Sequence, residues 1–218
     1  MIRTLIPLFI LLLSACSFKT PQNNWQYKSS AIFDSYVQNF LSANDSLAKS
    51  DLKRAKHHAS MGADLKPLAK ISLGECALKI SVSKNYSCKE YIKFDSLMED
   101  KSLDAYYHFI TKKTLSEEEI ALLPKQYQAF ATAAADKEYS RANELLKTIE
   151  PTTSQLLAAS LLGEHISKES INATLESATF HGYKRAVLFY LTLLKEKSSS
   201  EDEKLQIAKK IKLLQSIK

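Results

Sequence analysis

From Trp25 onward, apolar positions recur at steps of three and four residues and rarely alternate, which is the signature of amphipathic helices. Ile32, Phe33, Tyr36, Val37, Phe40 and Leu41 form one such stripe. Asn44 or Asp45 can cap a second helix, which runs through Leu47, Leu52, Ala55 and Ala59 to a stop at Gly62. A third helix carries Leu65, Leu68, Ile71, Leu73, Ala77, Leu78 and Val82. Shorter helices are predicted around residues 90–98, 103–111 and 116–123. Ser116 followed by Glu119 is a capping box, and Pro124 redirects the chain. In the second half, helices are predicted to start near Lys125, Lys137, Thr152, Lys168, Tyr183 and Ser200, roughly every 12 to 17 residues. The breaks are Asp136, Pro151, residues 166–167, Gly182 and the serine run 198–200.

Helices this short are unstable alone and must bury their faces against neighbours. Stacked antiparallel hairpins do this, which is the logic of an α-solenoid. Ala129, Ala131, Ala133, Ala134, Ala135, Ala158 and Ala159 are small enough for helices to approach closely there. Composition agrees with helices: among 218 residues there are only 4 Gly and 5 Pro, too few for a turn-rich β fold. The glycines (Gly62, Gly74, Gly163, Gly182) are widely separated, which excludes every glycine-rich phosphate cradle.

Short internal echoes support repetition. Leu52-Lys53-Arg54-Ala55, Tyr139-Ser140-Arg141-Ala142 and Tyr183-Lys184-Arg185-Ala186 share a pattern, as do Leu73-Gly74-Glu75 and Leu162-Gly163-Glu164. The chain here resembles tetratricopeptide (TPR) repeats. Leu73-Gly74 and Leu162-Gly163 match the first-helix element; Ala142, Leu146 and Pro151 resemble the second. Lys70 and Ala159 stand where the family has an aromatic residue, and the echoes hold no constant period. The resemblance implies an all-α, TPR-like α-solenoid of stacked antiparallel hairpins over residues 25–218. An irregular helical bundle is the alternative.

The start of the chain reads differently. Arg3 precedes an apolar run over residues 5–13, too short to span a bilayer but fit for a secretory signal. It ends in Leu13-Ser14-Ala15-Cys16, which resembles the lipobox of bacterial lipoproteins. An ordinary signal peptide with an incidental cysteine is the alternative. The resemblance implies a signal peptide over 1–15, cleavage before Cys16, and acylation of Cys16 by palmitate-like chains. Residues 16–24 would be the lipidated end and a polar tether. Several acyl chains anchor a protein effectively permanently. Ser17 stands where an aspartate retains some lipoproteins in the inner membrane, so the expected location is the periplasm, at the outer membrane.

In that oxidising compartment, Cys76 and Cys88 read as a disulfide, closing a segment whose Ser81, Ser83 and Asn85 suggest a bend between helices. Metal ligation with His57 and His58 is the alternative, at a spacing no usual site has. The net charge of +6 would suit nucleic acid, but that is a poor partner outside the cytoplasm. Anionic lipid headgroups, lipopolysaccharide or peptidoglycan are possible, although the lysines are dispersed as on ordinary solvated faces.

No catalytic, cofactor-binding or metal residue is expected. His-Glu-x-x-His and Gly-x-Ser-x-Gly are absent. His57 and His58 follow Lys53, Arg54 and Lys56 on what reads as an exposed basic face. Glu99, Asp100 and Asp104, and Glu117, Glu118 and Glu119, are the carboxylate clusters a glycoside hydrolase would need to oppose across a cleft. The second cluster opens a helix, where acids favour the dipole. Aromatics are the better lead: Tyr106, Tyr107 and Tyr127 are candidate lining residues of a solenoid groove. The expected function is a membrane-anchored scaffold or adaptor that binds envelope proteins in outer-membrane, pilus, secretion or motor assembly. A peptidoglycan-binding or peptidoglycan-modifying enzyme, or its regulator, is the alternative.

Overall fold

A computed structural model describes residues 24–95 and 97–217. Among these the chain is all-helical, with twelve α-helices and no strand. The expected signal segment, Cys16 and most of the tether lie outside the described residues. No helix among the described residues is long and apolar enough to cross a membrane.

The first two helices, α1 (Asn24–Leu41) and α2 (Asp45–Ala59), form a tight pair. Ser29 donates to the Ala55 carbonyl at 3.1 Å, and Asn39 donates to Asp51 at 2.8 Å. Asn44 occupies the N-cap position of α2 but makes no capping bond; its amide turns back to Asn39. Asp45 is also no cap: it lies in the first turn and pairs with Arg185.

Helix α3 (Lys66–Ile80) admits Pro67 in its first turn, where the missing N–H costs nothing. It is buried nearly all round, through Ala69, Ile71, Leu73, Cys76, Ala77 and Leu78. A helix apolar on every side belongs in the centre of a fold, and α3 packs on α1, α2, α5 and α9. Next come α4 (Lys89–Asp95), α5 (Lys101–Ile110) and α6 (Glu117–Leu122). Asp100 caps α5 by accepting from Ser102 and Leu103, and the expected Ser116–Glu119 capping box opens α6.

The second half holds α7 (Lys125–Ala135), α8 (Tyr139–Leu146), α9 (Thr152–Leu162), α10 (Lys168–Phe180), α11 (Lys184–Lys197) and α12 (Glu201–Ser216). Each of these starts within about two residues of its sequence-based position. Each packs on the next, and α7 also meets α9 and α8 meets α10. Ser167 and Ser200 cap α10 and α12.

The two halves are joined by long-range contacts. Ser160 of α9 donates to the Ile80 carbonyl at 2.8 Å. The buried Tyr190 hydroxyl, on α11, serves Ser81 and Leu156 carbonyls at 3.1 and 2.6 Å. Gln38 of α1 donates to the Tyr183 hydroxyl at 3.0 Å. One main core therefore runs from Tyr36 to Ile207. Helix α12 contributes only Ile207 as a fully buried residue and packs on α11 alone among the stronger contacts.

Candidate functional site

Three adjoining depressions make one groove across the first half of the fold. The first, about 660 Å³, lies between α1 and α3 and is lined by Ser29, Phe33, Pro67, Lys70 and Ile71. The second, about 550 Å³, lies between α3, α5 and the α6–α7 corner, against Leu73, Leu103, Tyr106, Leu122 and Pro124. The third, about 230 Å³, reaches down to Val37, Ala77, Tyr127 and Leu157. Lys70 borders the first two, Phe33 the first and third, and Gly74, Tyr106 and Pro124 the second and third. The wall is mostly apolar. Lys70 and Lys125 stand exposed beside it, and neither makes an ion pair among the described residues.

The three candidate tyrosines separate. Tyr106 lines the groove with its ring, which also packs against Tyr127 with ring centroids 6.1 Å apart. Tyr127 is only 4% exposed and forms floor rather than rim, packed on Phe109 with ring centroids 5.0 Å apart. Burial pushes both hydroxyls above the usual tyrosine range. Tyr107 is not in the groove. It packs on Tyr91 at 5.1 Å, under the Lys113 ammonium at 4.9 Å. The groove therefore offers ring surface and aliphatic contact rather than tyrosine hydroxyls. Leu122, Pro124, Phe33 and the two rim lysines complete it, and the sequence reading missed all of them. One local signal was available: Leu122 and Leu123 precede Pro124, and only Leu123 fits the core, leaving Leu122 41% exposed.

Cys76 and Cys88 are joined as a disulfide, with Cα atoms 5.3 Å apart. Both sulfurs are thus consumed, so neither is a thiolate for a metal shared with His57 and His58. No group of three His, Cys, Asp or Glu gathers as a metal site among the described residues. His57 is exposed as expected, but His58 turns partly inward, and its Nδ1 is buried without a hydrogen-bond partner. Beside the disulfide, buried Glu75 accepts from Lys56 and Lys79 at 2.6 Å each, and Lys79 also reaches the Tyr86 hydroxyl. Burial opposes the charge on Lys79, but its bonds to Glu75 and Tyr86 hold its pKa above the usual value. The nearby Tyr36 hydroxyl is raised too, first by burial and then by the Glu75 charge.

Asp100, Asp104 and Glu119 of the carboxylate clusters have structural contacts. Asp100 caps α5 and pairs with Lys66 at 2.5 Å. Asp104 meets the Tyr91 hydroxyl at 3.1 Å. Glu119 accepts from the Ser116 backbone at 2.8 Å and sits 2.6 Å from His108 Nδ1. These two contacts, the backbone one first, hold its carboxyl below the usual range. Among the residues lining the groove, the carboxylate is Asp64, whose side chain accepts from the Lys66 backbone at 2.9 Å.

The chain matches no protein-family model, no curated protein and no solved structure.

Proposed function

We propose that the protein is a binding scaffold that seats an apolar segment of another envelope protein in the groove between α1, α3, α5 and the α6–α7 corner. The groove is the observation that carries this reading. It is continuous, mostly apolar and rimmed by two unpaired lysines. Such a surface suits a peptide or helix presenting apolar side chains, with acidic residues at its edges. The role needs no chemical step, and Asp100 and Glu119 of the clustered carboxylates are engaged in a cap, an ion pair and a capping box.

The helical arrangement is read as TPR-like. The serial packing of α7 to α12 supports this; Gly163 departs from it, since it closes α9 at φ 55° instead of lying within a helix as the family's Leu-Gly does. The contacts of α1 and α3 with α11 and α9 go beyond neighbour-only stacking and close the array on itself. The lipobox-like Leu13-Ser14-Ala15-Cys16 supports a lipid anchor on Cys16, in the periplasm at the outer membrane. Anchoring raises the effective concentration of the groove near membrane-bound partners.

Photo-crosslinkers placed at Lys70, Leu122 and Lys125 in intact cells test the reading, with exposed Glu144 as the control position. One envelope protein captured at the groove and not at Glu144 is the expected result. Peptidoglycan fragments captured instead, or equal capture at the control, would overturn it.

A further inference from the structure

The terminal helix α12 buries Ile207, with Ile211 and Leu214 partly buried, against the rest of the fold. At about 100° per residue, Leu205, Lys209, Lys212 and Leu213 occupy the opposite face. Leu205 is 54% and Leu213 63% exposed. The same end of the molecule carries Phe180, at 86% the most exposed of the large apolar residues described. Phe180 ends α10, and Lys184, which opens α11 four residues later, bonds the Ile217 carbonyl at the end of α12, so the α10–α11 turn lies at that end. Lys209, Lys210 and Lys212 make no ion pair among the described residues. The opposing charges are few: exposed Glu176 lies one turn before Phe180, and Asp202 lies at the far end of α12.

We infer that this face docks on an anionic lipid surface. Charge favours lipid over a peptide. The lysines are unpaired and interleaved with exposed apolar side chains, the pattern of a helix lying at a lipid interface. The face is the side of α12 turned away from α11, on which the helix packs. The inference does not depend on what occupies the groove. It gives the scaffold an orientation, with α12 toward the membrane.

Co-sedimentation with vesicles tests it. The chain from Ser17 onward retains every described helix and carries no acyl group. It is expected to bind vesicles of equal parts phosphatidylglycerol and phosphatidylcholine, and to release as salt is raised. Lys209→Gln with Lys212→Gln should weaken binding about 25-fold, a factor of about five per lysine. Phe180→Ser with Leu213→Gln should also weaken it, whereas Lys70→Gln with Lys125→Gln at the groove should not. All these side chains are exposed, and circular dichroism checks that helicity is unchanged. Absent binding to anionic vesicles, equal binding to pure phosphatidylcholine, or full binding by the α12-face variants would overturn the inference. A dimer in sedimentation that dissociates on Leu213→Gln, without vesicle binding, would overturn it in favour of a second copy of the chain.

Discussion

Phe33 lies directly over Gly74, so that a Cβ built at position 74 would sit 2.8 Å from the tip of the Phe33 ring. This contact sets the groove wall where α1 meets α3. Gly74→Ala forces the ring aside, but the atom that must move is the end of a side chain. Alanine also favours the helix by up to about 1 kcal/mol over glycine. The two effects oppose, so stability should stay within about 1 kcal/mol of the parent. The groove should change more than the fold does. A urea midpoint near the parent's, with crosslinking at Leu122 reduced several-fold, is the expected pair of results. A large stability loss would show that Phe33 cannot turn and that Gly74 serves packing instead.

The disulfide between Cys76 and Cys88 closes a loop with a sequence separation of 12. A cross-link over a loop of that size contributes about 3 kcal/mol by restricting the unfolded chain. The loop also holds Tyr86 against Lys79 and Lys84 against Glu196 at 2.7 Å. Cys76→Ser with Cys88→Ser should therefore lower the unfolding free energy by about 2 to 4 kcal/mol in a urea titration. Free thiols at both positions in protein isolated without reductant would refute the bond itself.

The sequence exposed the helices well and their arrangement poorly, for physical reasons that individual residues make plain. Caps and breakers act locally, so Ser116, Pro124, Pro151 and Gly182 marked boundaries close to the observed ones. Asn44 did not act as its type suggests, because Asn39 offered its side chain a partner outside the helix. Helices α3 and α9 are buried on several sides, so their apolar residues show no preferred phase that would reveal what they face. Tyr106 and Tyr107 are consecutive helix residues that point about 100° apart, and here that turn sends Tyr106 to the groove and Tyr107 to Tyr91. Lys70, Leu122 and Phe33 meet only through tertiary packing, and no spacing rule brings them together.

Asp100 gives the fold an acid-sensitive joint. Its carboxyl is held below the usual 3.8, first by the bond to Lys66, which outweighs the opposing effect of burial, and then by its bonds to Leu103 and Ser102. A depressed carboxyl stabilises the fold above its unfolded pKa, and that contribution disappears as pH falls through the lower folded value. Asparagine caps a helix as well as aspartate does but cannot pair with Lys66. Asp100→Asn should thus be less stable than the parent at pH 7 by under about 1 kcal/mol, since the lysine is exposed. The two proteins should converge as pH is lowered from about 4 toward 2. A gap that persists at pH 2 would show that geometry rather than charge distinguishes the two residues.

Arg185 fastens the first helix to the eleventh across 140 or more residues of sequence. Its Nε donates to the Phe40 carbonyl at 2.6 Å, its guanidinium lies 4.4 Å from the Phe40 ring, and its other arm pairs with Asp45. The carbonyl bond and the ring contact together account for about 1 to 3 kcal/mol, whereas the pair with exposed Asp45 adds little. Arg185→Ala should lower stability by that amount. Lysine recovers only part of it, because an ammonium cannot lie flat on the ring while reaching both oxygens. The location of the loss is more informative than its size. If Arg185 is the clasp that closes the array, its removal should speed amide hydrogen exchange through α1 and α2 while the α7–α10 stack keeps its protection. Uniform acceleration throughout the chain would mean instead that the α1–α2 pair and the later helices unfold as one unit, with Arg185 one tie among many.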